Sequence, residues 1–94
     1  MFENILNRMR EKVRALQYVM TLHAEEEMDN DDLSIFEVER AILAGRIIER
    51  QKDVETSEWK YLIKGKTAEG VEVVAVSKLS STGKLIIITV YVEQ

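Results

Sequence analysis

Cysteine and proline are absent from this sequence, and histidine and tryptophan occur once each. Without cysteine there are no disulfides, no thiolate metal ligands and no thiol nucleophile. Without proline there is no proline-rich linker, and no repeat or low-complexity tract interrupts the chain. Long apolar runs are missing too: the longest, LIIITVYV from Leu85 to Val92, has the length of a strand rather than the ~20 residues of a membrane-spanning helix. The start of the chain lacks the apolar stretch and small-residue cleavage site of a signal peptide, so the expected location is the cytoplasm, away from membranes. No glycine-rich phosphate cradle and no nucleophile elbow is present, and no cofactor is expected.

What is present suits one compact domain over residues 1–94, because a chain of this length builds a single core. Apolar residues make up 46% of it, enough for packing, and the 32% that are charged are unevenly spread. Residues 23–39 hold eight acidic side chains and no basic one, which accounts for the net charge of -4 and leaves the remainder slightly basic. Binding to nucleic acid needs clustered Lys and Arg rather than a basic total, so a local basic face stays open.

Phe2, Ile5, Leu6, Met9, Val13, Leu16 and Met20 recur at spacings of three and four, with Arg8, Arg10, Glu11, Lys12 and Arg14 between them. This predicts an amphipathic helix over residues 1–20 whose apolar stripe covers a sheet or a second copy of the chain. A short helix is expected from about His23 to Asn30. A third is delimited at both ends: Ser34 followed by Glu37 forms a capping box, and Gly45 stands where a left-handed C-terminal residue belongs. After Gly45 four β runs follow, RIIERQKD, EWKYLIKGK, VEVVAVSKL and KLIIITVYVE, joined by short polar links. The expected fold is α+β, with N-terminal helices packed on a four-stranded antiparallel meander.

Alternation along the last run places Ile86, Ile88, Val90 and Val92 on one side, expected to face the helices, and Leu85, Ile87, Thr89 and Tyr91 on the other. The second side is partly apolar and partly open, so cover by a partner subunit is plausible.

LHAEEEMDNDD, from Leu22 to Asp32, invites a metal reading. His23 has Glu26 and Glu27 at helical spacing, yet zinc would lack a third ligand, and DNDD lacks the glycine and terminal glutamate of a calcium loop. No metal is expected there. The glutamates fit the first turn of a helix, where negative charge opposes the dipole. What remains is acid–base chemistry without metal, with the His23 imidazole moving the proton and hydroxyl or basic groups holding a charged oxygen.

The order of His23-Ala24, Leu33-Ser34, Ala41-Ile42 with Gly45 and Ile47-Ile48-Glu49, Tyr61-Leu62-Ile63 with Gly65, and Ile87 through Tyr91 resembles the bacterial family called domain of unknown function 4258. The resemblance covers about residues 18–92. That family looks like a distant relative of the RelE and BrnT toxin group, small α+β proteins that cleave RNA without metal, which would make residues 21–94 a toxin-like core. The resemblance implies His23 as general acid or base with Thr89 and Tyr91 beside it, RNA as substrate, and an antitoxin-like protein as partner. Arg46, Arg50, Lys60 and Lys64, on the strands, are candidates for binding phosphate by composition. Family members commonly carry Arg after the His-Ala step and before the Ser, where this chain has Glu25, Glu26, Asp29 and Asp31, and an acidic run beside a general base repels a phosphodiester.

Two readings of function stand open. In the first the chain is a metal-independent endoribonuclease or an inactive relative of one. In the second it is a non-catalytic interaction module, or a homodimer formed through the N-terminal helix or the open sheet face. Catalysis requires His23 near Thr89 or Tyr91 under a basic rim, whereas a module requires a contiguous apolar patch. Trp59 fits a core edge or an interface anchor better than a base-stacking platform.

Overall fold

The computed structural model describes residues 1–93. Helix α1 (Glu3–Arg14) buries Leu6, Met9 and Val13, as the apolar spacing requires. Its end differs from the expectation of helix through Met20. Leu16 takes a φ of 57°, its N–H donates to Val13 O (3.1 Å), and the Gln17 N–H donates to Lys12 O (2.8 Å). These are the two bonds of a Schellman turn, built here without glycine at a cost of about 1 kcal/mol or more. The released segment becomes strand β1 (Tyr18–Met20).

Helix α2 (Leu22–Asn30) and helix α3 (Ile35–Ala44) follow, then strands β2 (Arg46–Lys52), β3 (Trp59–Lys66), β4 (Glu72–Leu79) and β5 (Leu85–Val92). The last four form the expected antiparallel meander. The sheet nevertheless has five strands in the order β1-β5-β4-β3-β2, and it is mixed, because β1 runs parallel to β5 with Tyr18 opposite Leu85 and Met20 opposite Ile87. Thr21 joins this edge to the next helix: its Oγ1 accepts from the Ala24 N–H (3.1 Å) as N-cap and donates to Ile88 O (2.8 Å). Tyr18 ties β1 to α3 by donating its hydroxyl to the Glu39 carboxylate. Burial, with that carboxylate beside it, pushes the Tyr18 hydroxyl up to about 12.

The capping box of α3 forms as the sequence predicts, with Ser34 N–H to Glu37 Oε1 at 2.9 Å and Glu37 N–H to Ser34 Oγ at 3.2 Å. Gly45 departs from its expected left-handed geometry. It is extended, with φ -90° and ψ -165°, and glycine is required there for space: a Cβ would overlap the carbonyl oxygens of Ala41 and Lys64. No basic residue lies in the last turn of α3. Arg10 of α1 supplies that charge, donating Nη2 to Gly45 O (2.6 Å) and Nε to Ile42 O (3.3 Å).

The helices cover one sheet face. Met9, Val38, Ala41, Ile42, Ile63, Val73, Ala75, Leu85, Ile87 and Val90 are fully buried in this core. The face assignment along β5 therefore needs correction, since Leu85 and Ile87 point to the helices together with Val90 and Val92. A β-bulge explains it: Val76 lies opposite Thr89 and Ser77 opposite Ile87, so Ile88 is the extra residue and the alternation reverses beyond it. Thr89 and Tyr91 stay on the face away from the helices, where Tyr91 packs against Leu62, Val74 and Val76.

Ser77 lies in β4 opposite Tyr61 and Ile87, fully buried, and its hydroxyl has no hydrogen-bond partner among the described residues. A buried polar group left unpaired costs about 1–3 kcal/mol. Ser77→Ala should therefore stabilise the fold by about 1 kcal/mol, seen as a higher urea midpoint at unchanged slope; a lower midpoint would show that the hydroxyl is satisfied.

Candidate anion-binding groove

At the β2–β3 end of the sheet, the end of α3 meets the start of β2 and the end of β3. Two glycines permit this approach, because a Cβ on Gly65 would overlap the Ala41 carbonyl and lie 2.8 Å from Ala41 Cα, while Gly45 is hemmed in by Ala41 and Lys64. The backbones thus come close enough to floor a groove of about 640 Å³, and the charged side chains of Arg40, Arg46, Lys64, Lys66 and Glu72 stand around it with Thr67. Four cations face one carboxylate in a chain whose total charge is -4.

Lys64 sits at the centre of this charge set. Its Nζ lies 2.9 Å from Glu72 Oε2 and 2.8 Å from Glu93 Oε1. The hydrogen bonds to Glu93 and then Glu72 raise the Lys64 pKa above the usual lysine value. The Glu72 carboxyl is held below the usual carboxylate range by its hydrogen bond and charge attraction to Lys64, with smaller contributions from Lys66 and Arg46. These are solvent-screened groups, so the directions report how closely the charges gather rather than a contribution to stability. Among the described residues Arg40, Arg46 and Lys66 make no ion pair or side-chain hydrogen bond.

Of the four phosphate candidates read from the sequence, two line this groove, Arg46 and Lys64. Lys60 shares the open face of β3 with Lys64 but lies four residues away, about 13 Å along a strand. Arg50 leaves by the opposite face. β2 carries its own bulge, which passes from Ile47 opposite Ile63 to Glu49 opposite Leu62, so Arg50 falls opposite Tyr61 on the helix side. There its guanidinium stacks 4.1 Å from the Trp59 ring centroid and 6.0 Å from that of Phe2. Arg40, Lys66 and Glu72 were not singled out by the sequence. The only local hint is KGK at residues 64–66, and nothing in the sequence brings the end of α3 alongside it.

His23 occupies the first turn of α2, with its side chain 65% exposed and its Nε2 3.1 Å from Glu27 Oε1. Ala24 and Met28 of the same helix pack into the helix-side core, whereas Thr89 and Tyr91 belong to the other face. Among the described residues no hydrogen bond joins His23 to either of them. The acidic run has a different use: Glu27 Oε1 accepts from the Val90 N–H (3.2 Å) and Asp31 Oδ2 from the Val92 N–H (3.3 Å). Beyond the end of the short β1, these two carboxylates, one helical turn apart, satisfy the open edge of β5. The acid therefore gathers along the β5 edge, two strands from Lys64 and Lys66 on β3 and three from Arg46 on β2.

Among the described residues no three carboxylate or imidazole side chains converge as metal ligands, and no helix is long and apolar enough to cross a membrane. A family model described as "Domain of unknown function (DUF4258)" matches residues 20–92. No curated protein and no solved structure gives a match.

Proposed function

The chain belongs to the DUF4258 family, and from the groove we propose that it binds the phosphate backbone of single-stranded RNA. The observation that carries this reading is the convergence of Arg40, Arg46, Lys64 and Lys66, from three elements, on one groove of an otherwise acidic chain. Arginine forks and lysine ammonium groups match the non-bridging oxygens of a phosphodiester, and their release of counterions drives association. The acidic α2, along the β5 edge, orients a polyanion towards the cations of β2 and β3 by repulsion.

Fluorescence anisotropy with a labelled single-stranded RNA of about ten nucleotides tests this. Three uncommitted cations engaging three phosphates would give a slope of about -2 in log affinity against log salt. Arg46→Glu combined with Lys66→Glu, both at exposed positions, should weaken binding at least ~tenfold and flatten the slope. Binding that ignores salt, or that survives this reversal, overturns the reading.

A second reading, metal-independent cleavage in the manner of RelE-type toxins, is supported by a separate observation. The Thr89 and Tyr91 hydroxyls make no hydrogen bond among the described residues, and the imidazole of His23 is exposed. General acid–base catalysis typically contributes 10²–10⁴-fold. If either His23 or Tyr91 supplies it, the corresponding variant, His23→Ala or Tyr91→Phe, should slow RNA cleavage by about 10²-fold or more while leaving RNA affinity in place. An uncleaved RNA with the unsubstituted chain sinks this second reading and leaves the first intact.

A further inference from the structure

Resting on the RNA-binding reading of the groove, we propose that Glu72 is an internal stand-in for the ligand: its carboxylate holds the ammonium of Lys64 that a phosphodiester would take. Among the described residues Glu72 is the one carboxylate that lines the groove, and Glu93 bonds the same ammonium from outside the lining. Glu72 bonds Lys64 at 2.9 Å, and Lys66 and Arg46 also favour its negative charge. A carboxylate offers one charge and two acceptor oxygens, the same inventory as the two non-bridging oxygens of a phosphodiester. Among the described residues the other three cations carry no such partner, and Lys64 alone is engaged before ligand arrives.

The exchange is chemically simple. An incoming phosphodiester monoanion displaces Glu72 from Lys64, while Glu93, bonded to the same Nζ at 2.8 Å and not part of the groove lining, stays in place. Glu72 opens β4 directly after the turn closed by the Gly70 N–H to Thr67 O bond (3.0 Å), and its side chain is 39% exposed. It is free to swing out to water without disturbing the core. The residue thus sets the affinity threshold of the groove: only a ligand that brings further contacts, to Arg40, Arg46 or Lys66, outcompetes an anion already attached to the chain. Single small anions are excluded by this competition and a polyanion is admitted.

The test compares Glu72→Gln with Glu93→Gln and Glu69→Gln in the full chain, using the same labelled single-stranded RNA. All three change the net charge equally, and only the first empties the groove of its carboxylate. Glu72→Gln should tighten binding roughly fivefold, about the worth of one exposed charge pair, Glu69→Gln by less than ~twofold, and Glu93→Gln, which leaves Glu72 on Lys64 inside the groove, by an amount between the two. In a Lys64→Met background the gain from Glu72→Gln should vanish. If the unsubstituted chain binds RNA but Glu72→Gln behaves like Glu69→Gln, or if its gain persists with Lys64→Met, the stand-in role is overturned and the groove reading survives. If neither the unsubstituted chain nor Glu72→Gln binds, both fall together.

Discussion

Gly65→Ala should destabilise the chain by about 3 kcal/mol, the upper end of the usual cost of overpacking. The atoms in the way are backbone: the Ala41 carbonyl overlaps the new Cβ, and Ala41 Cα stands 2.8 Å from it. No rotamer change relieves that clash, so α3 must lift from β3. Val38, Ala41 and Ile42 on the helix and Ile63 on the strand, all fully buried, would lose contact as it does. Gly70→Ala is the comparison. A Cβ there meets nothing within 4 Å, and the loss is confined to the backbone strain of a side chain at φ 84°, about 1 kcal/mol. Urea unfolding of both variants measures the difference. Equal losses would show that α3 does not ride on Gly65.

The second large effect is expected at Arg10. Arg10→Leu keeps an apolar side chain at this position of α1 and removes the guanidinium that closes α3. The carbonyls of Ile42 and Gly45 then lose their donors, at 3.3 Å and 2.6 Å in the intact chain. Hydrogen bonds to a charged group contribute about 1.5–3 kcal/mol. The C-terminal end of a helix also favours a cation by about 0.3–1 kcal/mol, and these contributions overlap, so the expected loss is about 2–3 kcal/mol. For a domain of this size that lowers Tm by about 10 °C or more. Arg10→Lys should recover part of the loss, since it restores the charge but not the two-pronged geometry. Full recovery by lysine would mean that charge alone matters at this end of α3.

Neither residue announced its role in sequence. Gly65 reads as a break in a strand, and Arg10 as one of several cations on the polar face of an amphipathic helix. Each acts on a group more than twenty residues away, Ala41 for Gly65 and Gly45 for Arg10, so the local pattern around them carries no trace of the partner. The same holds for the groove. Arg46 and Lys64 were legible as basic strand residues, while Lys66 and Glu72 meet them through the pairing of β3 with β4 and Arg40 because α3 docks across β3. Arg50, equally basic in sequence, is carried to the other face by a bulge at Ile48.

The sequence by itself determined the α+β class, the capped start of α3, the amphipathic α1 and the antiparallel run of β2 to β5. These follow from short-range causes: side-chain capping, periodic burial and links too short for a crossover. Tertiary structure decided the rest. Tyr18–Met20 became a strand because β5 had an unpaired edge to offer, although Val13, Leu16 and Met20 are spaced to suit a helix. The faces of β5 followed a bulge that frees one residue, and bulges leave no mark in an alternation whose members are all apolar. The acidic residues of α2, legible only as helix-start charge, came to serve Val90 and Val92 because β1 is too short to cover β5. A three-residue strand leaves N–H groups exposed, and a buried or half-buried donor must find an acceptor wherever the fold can supply one.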